Sequence, residues 1–388
     1  MSQPFSKVIG VVGGGQLGKM LIESSRSWNV QYAVLDQANA PCKSYAAHFV
    51  EGSLMDAESI RELSQHCDVL TYEIEHINVS TLSELERNGK KVIPSSAILS
   101  VIQDKGRQKK FYADNNLPTS EFKLLTVNDF SSVDSLITPI KGEQLVIKTC
   151  TGGYDGKGVS IQKRETVSSE WLSANYSGPL VIEEFISNAL EVSIIVARNG
   201  QGETKTFPMV EMVFDPKLNL VDYLFAPSSL PNSIHERAAE ISVQAIEKMN
   251  GIGLFAVELF VTPDHRVLIN EIAPRPHNSG HHTIEACTTS QYEQLNRILL
   301  DLPLGDTTLI KPAVMTNIIG PEGVSGNYIL EGMDVLFGTP GASLHWYNKE
   351  ETRPGRKMGH FTVIADDVQT AVDRSHHIRK HLKISANS

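Results

Sequence analysis

The stretch KTCTGGYDGKGVS, residues 148–160, joins two apolar runs and puts Gly152, Gly153, Gly156 and Gly158 close together. Glycines at this density let a backbone approach a ligand and aim its N–H groups inward. Lys148, at the exit of the first run, and Lys157, inside the turn, add positive charge suited to phosphates. No G-K-[ST] follows, and a strand rather than a helix leaves the turn, so this is not a Walker loop. Taken alone, the stretch reads equally well as a long hairpin turn, since Gly-rich turns are common. Residues further along the chain decide between the two.

Glu258 in GLFAVELFVT and Glu271 in HRVLINEIA lie on runs that turn at Pro263-Asp264. Both runs are markedly apolar, whereas strands with a solvated face alternate with polar residues. As antiparallel neighbours they bring two carboxylates to one spot, which suits magnesium held against a triphosphate. Upstream, EEFI (183–186) ends a strand and Glu191 follows. The backbone of such an edge segment can pair with adenine, and a nearby carboxylate can accept from ribose hydroxyls.

The N-terminal stretch KVIGVVGGGQLGKM, residues 7–20, carries Gly13, Gly15 and Gly18 in the G-x-G-x-x-G spacing after an apolar run, and Asp36 ends the next run, YAVLD. That is the local signature of a dinucleotide site. It matches an NAD-dependent oxidoreductase, but that reading leaves the 148–160 loop unexplained.

Organisation and composition narrow the field. The runs VIGVV, YAVLD, HFVEG, DVLTYE and KVIPS alternate with helical stretches, which predicts a doubly wound parallel sheet over residues 1–117. The helix SAILSVIQDKGRQKKFYADNN then leads to Leu117-Pro118. Residues 118–187 read as a small α+β unit. Residues 188–388 read as a third region, with a hairpin turning at Asn199-Gly200, the two glutamate strands, and the strands VMTNIIG, SLHWYN and GHFTVIA before a last helix. The chain has 388 residues and a net charge of −10, which argues against nucleic acid as a partner. No run approaches the roughly 18–20 apolar residues of a membrane helix, and the start of the chain has no signal-like apolar segment, so a cytoplasmic setting is expected. Cys42, Cys67, Cys150 and Cys287 are scattered and read as free, buried thiols.

Six motifs in order carry a family resemblance: GGGQLGKM (13–20), TYEIEH (71–76), QDKGRQK (103–109), GGYDGKG (152–158), NEIAPRPHNSGHHT (270–283) and RPGRKMGH (353–360). With them the chain resembles the ATP-grasp superfamily and, within it, the 5-(carboxyamino)imidazole ribonucleotide synthase family of purine biosynthesis. The related formate-dependent glycinamide ribonucleotide transformylases carry a serine-rich loop where this chain has Tyr154-Asp155. The resemblance implies α/β and α+β architecture: an N-terminal Rossmann-like (pre-ATP-grasp) domain, a small lid domain and a C-terminal ATP-grasp domain. It implies a homodimeric ligase that consumes ATP, with magnesium (two ions), and carboxylates the amine of aminoimidazole ribonucleotide with bicarbonate through carboxyphosphate.

The roles that follow are the family's, carried onto this sequence. Lys105 and Lys148 contact the ATP phosphates, and the loop Gly153, Tyr154, Asp155, Gly156, Lys157, Gly158 and Val159 covers them. Glu183, Glu184, Phe185 and Ile186 flank adenine, Glu191 holds ribose, and Phe214 stands near the nucleotide. Glu258 and Glu271, beside Asn270, bind the metal. Gln16, Leu17 and Glu73 face the ribonucleotide, so the first glycine loop serves a ligand other than NAD. Lys349, Arg356 and Lys357 receive its phosphate. Arg275 and His277 reach bicarbonate, carboxyphosphate or that phosphate. Asp155, with Tyr154 beside it, relays a proton or orients the amine; a turn-shaping Asp is the plainer alternative.

Three positions depart from the pattern. Lys105 stands where Arg is usual, keeping the charge without the bidentate fork. Phe214 stands in place of a His, and Ala273 in place of an Asn beyond the second glutamate. His277, His281 and His282 together raise zinc, but a loop with Pro and Gly lacks fixed ligand geometry. A catalytically silent nucleotide-binding regulator is a third reading; it would not need the acid pair and the C-terminal basic cluster together.

Overall fold

The computed structural model describes residues 4–153, 158–215, 217–218 and 220–386. The first sheet is built from β1 (Val8–Val12), β2 (Gln31–Asp36), β3 (His48–Glu51), β4 (Val69–Tyr72) and β5 (Lys91–Val92), all parallel in the order β3-β2-β1-β4-β5. These strands are short and rich in Val, Ile and Leu because helices cover them. Three of the helices are α1 (Gln16–Glu23), α2 (Ala57–Gln65) and α3 (Val79–Arg87). The side chains of Asp56 and Asn78 accept from Ser59 N and Thr81 N, capping α2 and α3. Strand order reverses between β1 and β4, and the crevice beyond their C-terminal ends is where such sheets bind ligands. The loop Gly13–Gly18 leaves β1 there, and Glu73 leaves β4.

The single helix expected from Ser96 to Asn116 is two: α4 (Ser96–Ile102) and α5 (Lys105–Asp114). Asp104 divides them. Its carboxylate accepts from Arg107 N at 3.0 Å, and Lys105 N donates to Cys150 O at 2.8 Å rather than to a helical carbonyl. The break sets Lys105 at the start of a new helix, against the strand that carries the second glycine loop.

The small sheet has the order β6-β9-β7-β8, from β6 (Phe122–Leu125), β7 (Gln144–Thr149), β8 (Val159–Lys163) and β9 (Leu180–Glu184), with α6 (Val133–Ile137) and α7 (Ser169–Asn175). It has its own core, including Leu125, Phe130, Ile147, Leu172 and Ile182.

The large sheet runs β15-β14-β10-β12-β13-β16-β19-β18, with β11 against β10. Its strands are β10 (Leu190–Arg198), β11 (Thr204–Thr206), β12 (Val210–Asp215), β13 (Leu220–Ala226), β14 (Gly253–Val261), β15 (Val267–Ala273), β16 (Ala313–Ile319), β18 (Ala342–Trp346) and β19 (Lys357–Ile364). β17 (Tyr328–Glu331) pairs with β20 (Lys383–Ala386). α8 (Asn232–Lys248), α9 (Thr283–Ala286), α10 (Gln291–Leu299), α11 (Met333–Gly338) and α12 (Val368–His381) complete the region.

The first and large sheets share one core. Ile9, Val11 and Leu21 pack in one cluster with Ile195, Leu254, Tyr292, Leu295 and Ile298. Tyr32 Oη donates to Asn296 Oδ1 at 2.8 Å, and Asn296 Nδ2 donates to Leu21 O at 2.9 Å. Burying each large apolar side chain on α10 stabilises by about 1.5–3 kcal/mol. The base of the molecule is thus a joint structure, while the small sheet keeps a separate core. Among the described residues, no helix is long and apolar enough to cross a membrane.

Candidate active site

Glu258 on β14 and Glu271 on β15 are direct cross-strand partners, with a register shift after Glu258. Lys105 Nζ donates to Glu271 Oε2 at 2.5 Å, and His277 Nε2 lies 3.2 Å from Glu258 Oε1. The two acids are driven apart in acidity. Burial, reinforced by the charges of Glu271 and Glu191, pushes Glu258 up to about 8. The Lys105 ammonium holds Glu271 down at about 2, against burial. Burial also raises Glu191 to about 7. Beside the pair, Lys148 Nζ donates to Asn270 Oδ1 at 3.0 Å. Two carboxylates and an amide oxygen at the edge of a cleft are hard oxygen donors, a set that fits magnesium.

Behind this edge lies a second cluster. Glu183, on β9, is 2% exposed. Its carboxylate meets Lys109 Nζ at 2.8 Å and Lys148 Nζ at 3.0 Å, and accepts from Ser120 Oγ at 2.6 Å. Burial works to raise the pKa of Glu183, but the two ammonium groups outweigh it and bring it to about 2. Burial pushes Lys109 down to about 8. Lys105, Lys109, Lys148, Glu183 and Glu271 line a cavity of about 10 Å³, room for one water. The sequence reading set Glu183 beside adenine; the structure commits its side chain to the lysines, and Glu184 N donates to Glu121 O at 2.9 Å. Phe185 and Ile186 follow the strand, half-buried. Lys109 went unnoticed in the sequence, although it lies one helical turn from Lys105 on α5.

The first glycine loop is already satisfied by acids of this chain. Gly15 N donates to Glu73 Oε1, and Gly18 N donates to Glu73 Oε2 at 2.5 Å. Gly14 N donates to Asp36 Oδ2 at 2.6 Å. A carboxylate thus sits at the start of α1, where a dinucleotide would put its pyrophosphate, and Asp36 turns toward the loop rather than toward a ribose. A Cβ at Gly15 would fall 2.6 Å from Glu73 Oε1, so only glycine permits this contact without displacement. Gln16 and Leu17 open α1 beside it, half-buried.

Lys349, Arg356 and Lys357 gather around the turn between β18 and β19. Lys349 Nζ donates to Lys357 O at 2.7 Å and sits 5.6 Å from the Tyr347 ring centroid. Burial, with Arg356 and Lys357 nearby, lowers Lys349 to about 8. Glu73 acts on Lys349 electrostatically, and Lys357 acts on Glu258, so the basic cluster lies within electrostatic range of the first loop and of the acid pair. Arg356 Nη1 donates to Glu351 O at 2.7 Å. Arg275 Nη2 pairs with Glu75 Oε1 at 3.0 Å, a partner within the TYEIEH motif that the sequence reading passed over.

Other positions divide as follows. Gly153 precedes, and Tyr154, Asp155, Gly156 and Lys157 occupy, the part of the loop outside the described residues. Gly158 follows with φ +77°, and its Cβ position would lie 2.5 Å from Thr149 Oγ1. Val159 opens β8. Phe214 packs, partly buried, against the Val210, Met212 and Val221 cluster. The three loop histidines part company. His277 is held by Glu258 and Ser279, His281 Nδ1 lies 3.0 Å from Tyr292 Oη, and His282 is buried.

Three family models cover successive parts of the chain. They are the ribonucleotide synthetase preATP-grasp domain (residues 6–103), the ATP-grasp domain (110–292) and the phosphoribosylaminoimidazole carboxylase C-terminal domain (313–374). The crystal structure of N5-carboxyaminoimidazole ribonucleotide synthetase from Thermotoga maritima is 40% identical, with a TM-score of 0.89 over 98% of this chain and 100% of that one. The chain belongs to the N5-carboxyaminoimidazole ribonucleotide synthase family of ATP-grasp proteins. The family member from Aspergillus clavatus, in complex with ADP and 5-aminoimidazole ribonucleotide, is 32% identical, with a TM-score of 0.89 over 97% of this chain and 99% of that one. Phosphoribosylaminoimidazole carboxylase of Schizosaccharomyces pombe is 37% identical over 94% of this chain, but the chain spans only 66% of its length. The expected fold class and family thus hold, and the dehydrogenase reading of the first loop is set aside.

Proposed function

We propose that this chain carboxylates the exocyclic amine of 5-aminoimidazole ribonucleotide, using ATP and bicarbonate, in purine biosynthesis. The observation that carries the reading is the Glu258–Glu271 pair, flanked by Lys105 and Lys148 and within electrostatic range of the basic cluster of Lys349, Arg356 and Lys357. One end suits a polyphosphate and the other a phosphate monoester. The Aspergillus clavatus relative, whose complex contains ADP and the ribonucleotide, supports the same pair of ligands here.

In the proposed reaction a bicarbonate oxygen attacks the γ-phosphorus of ATP and the bond to the ADP oxygen breaks. The amine nitrogen then attacks the carboxyl carbon of carboxyphosphate, its bond to phosphate breaks, and the amine proton passes to a base, for which Asp155 is the candidate. Lys148 and Lys105 receive the ATP phosphates, with Glu191 on the ribose. Glu258, Glu271 and Asn270 would hold Mg²⁺, which when bound neutralises charge during phosphoryl transfer. Arg275 and His277 receive bicarbonate, and the basic cluster anchors the ribonucleotide phosphate. Carboxyphosphate is short-lived in water, so the loop from Gly153 to Val159 must close over it.

The test is ADP release by the purified protein with magnesium, ATP and bicarbonate, with and without the ribonucleotide. Strong stimulation by the ribonucleotide, with matching loss of its free amine, is the expected result. Absence of stimulation, together with tight NAD binding, would return the first glycine loop to a dinucleotide and overturn the proposal.

A further inference from the structure

His48 is the first residue of β3, and Glu62 and His66 lie one turn apart at the end of α2 and just past it. A helix that follows a strand in a parallel sheet runs back antiparallel to it. The end of α2 therefore meets the start of β3 at the N-terminal edge of the sheet, opposite the ligand crevice. There one donor atom from each of His48, Glu62 and His66 lies within 4.8 Å of the others. The two imidazole rings are stacked, with centroids 3.5 Å apart and planes inclined by 26°.

We propose that His48, Glu62 and His66 form a second metal site, for a divalent transition cation of the zinc class. A neutral imidazole ring offers a cation the lone pair of one nitrogen. Two imidazole nitrogens and one carboxylate oxygen are a donor set that zinc, nickel or cobalt takes readily and magnesium does not. Zinc bonds of about 2.0–2.1 Å put tetrahedral neighbours roughly 3.3 Å apart. Closing from the present spacing takes shifts of about 1 Å, within the reach of side-chain rotation at Glu62 and His66, which are exposed. Exposure leaves a further position for water. The C-terminal end of α2 adds a field that favours a cation. Two lysines of this domain are already engaged: Lys90 Nζ donates to Cys67 O at 2.7 Å, and Lys43 pairs with Glu51 at 3.8 Å.

The scaffold beneath the site is fixed. Asp56 caps the far end of α2, Ile60 and Leu63 are fully buried, and a Cβ at Gly52 would lie 2.3 Å from Ser59 Oγ, so the helix rests directly on the end of β3. A bound cation would pin β3, an edge strand, to α2.

The test is a Zn²⁺ titration of the metal-free, tag-free protein against a chromophoric chelator in excess Mg²⁺. The Glu258–Glu271–His277 group is a rival zinc binder, so the same titration is run on His48→Ala, His66→Ala and a Glu258→Gln/Glu271→Gln double variant. The expected result is one zinc equivalent that the acid double variant keeps and that each histidine variant loses or binds about tenfold or more weakly. The histidine variants should keep the magnesium-supported rate of the unsubstituted protein, which separates loss of the site from loss of the fold. Unchanged zinc stoichiometry and affinity in His66→Ala, or a zinc equivalent that disappears only with the two glutamates, would overturn the proposal.

Discussion

Glu258 and Glu271 face each other across one rung of a ladder, yet they differ because of what each touches. Glu271 has an ammonium at 2.5 Å, whereas Glu258 has an imidazole at 3.2 Å and more like charge around it. Glu271 is therefore the acid that stays ionised, as the proposed cation site requires. Glu271→Gln keeps the shape and removes the charge; ATP turnover should fall roughly 10²–10³-fold with an unchanged circular dichroism spectrum. Near-normal turnover would take the residue out of the metal site. Lys109 makes a complementary case. It is 3% exposed and shares Glu183 with Lys148. Lys109→Met strips one of two cations from a buried carboxylate, so stability should drop by about 3 kcal/mol, read as a lower urea midpoint. Lys148 then becomes the sole cationic partner of Glu183 and is drawn away from phosphate, so the KM for ATP should rise. Rescue of both by adding Glu183→Gln would show that the unpaired charge is the cause.

At the scale of elements, apolar patterning was the legible part. The parallel sheet and the two glutamate strands were readable because fully buried strands are continuous Val, Ile and Leu runs bounded by turn residues. The break at Asp104 was not, because QDKGRQK sits inside an otherwise helical pattern and only the tertiary bond from Lys105 N to Cys150 O separates a cap from a helical Asp. α10 was hidden for another reason. Gln291, Gln294 and Asn296 are fully buried, each satisfied by hydrogen bonds, so the polarity of the segment masks a core helix. The same logic makes Asp104 testable. Asp104→Ala removes the N-cap of α5 and should cost about 1 kcal/mol. Because Lys105 is the next residue, the KM for ATP should rise as well. A loss of stability with no change in that KM would show that the cap does not position Lys105.

At the scale of the whole molecule, the site is made by segments that meet only in the fold. Glu73 follows β4, Lys105 begins α5, Lys148 lies near the end of β7, Glu271 lies on β15 and Lys349 follows β18. The glycine stretch, the ordered motifs and the family resemblance named each of them, but pairings such as Glu183 with Lys109, Arg275 with Glu75 and Glu73 with the Gly15 and Gly18 amides depend on distant chain contacts that no local pattern encodes. The proposed reaction assigns the two anions to separate ends of this arrangement, and that separation has a kinetic consequence. Lys349→Ala should raise the KM for the ribonucleotide about tenfold or more, as expected for a lost charged hydrogen bond, and leave the KM for ATP nearly unchanged; a larger effect on ATP would mean that the cluster serves the other ligand. The same lysine predicts a pH dependence. Burial brings it to about 8, so it carries its proton below that pH and loses it as the pH rises through it. The kcat/KM for the ribonucleotide should therefore decline above about pH 8. In Lys349→Arg, which stays charged throughout, that decline should vanish; its persistence would place the titrating group elsewhere.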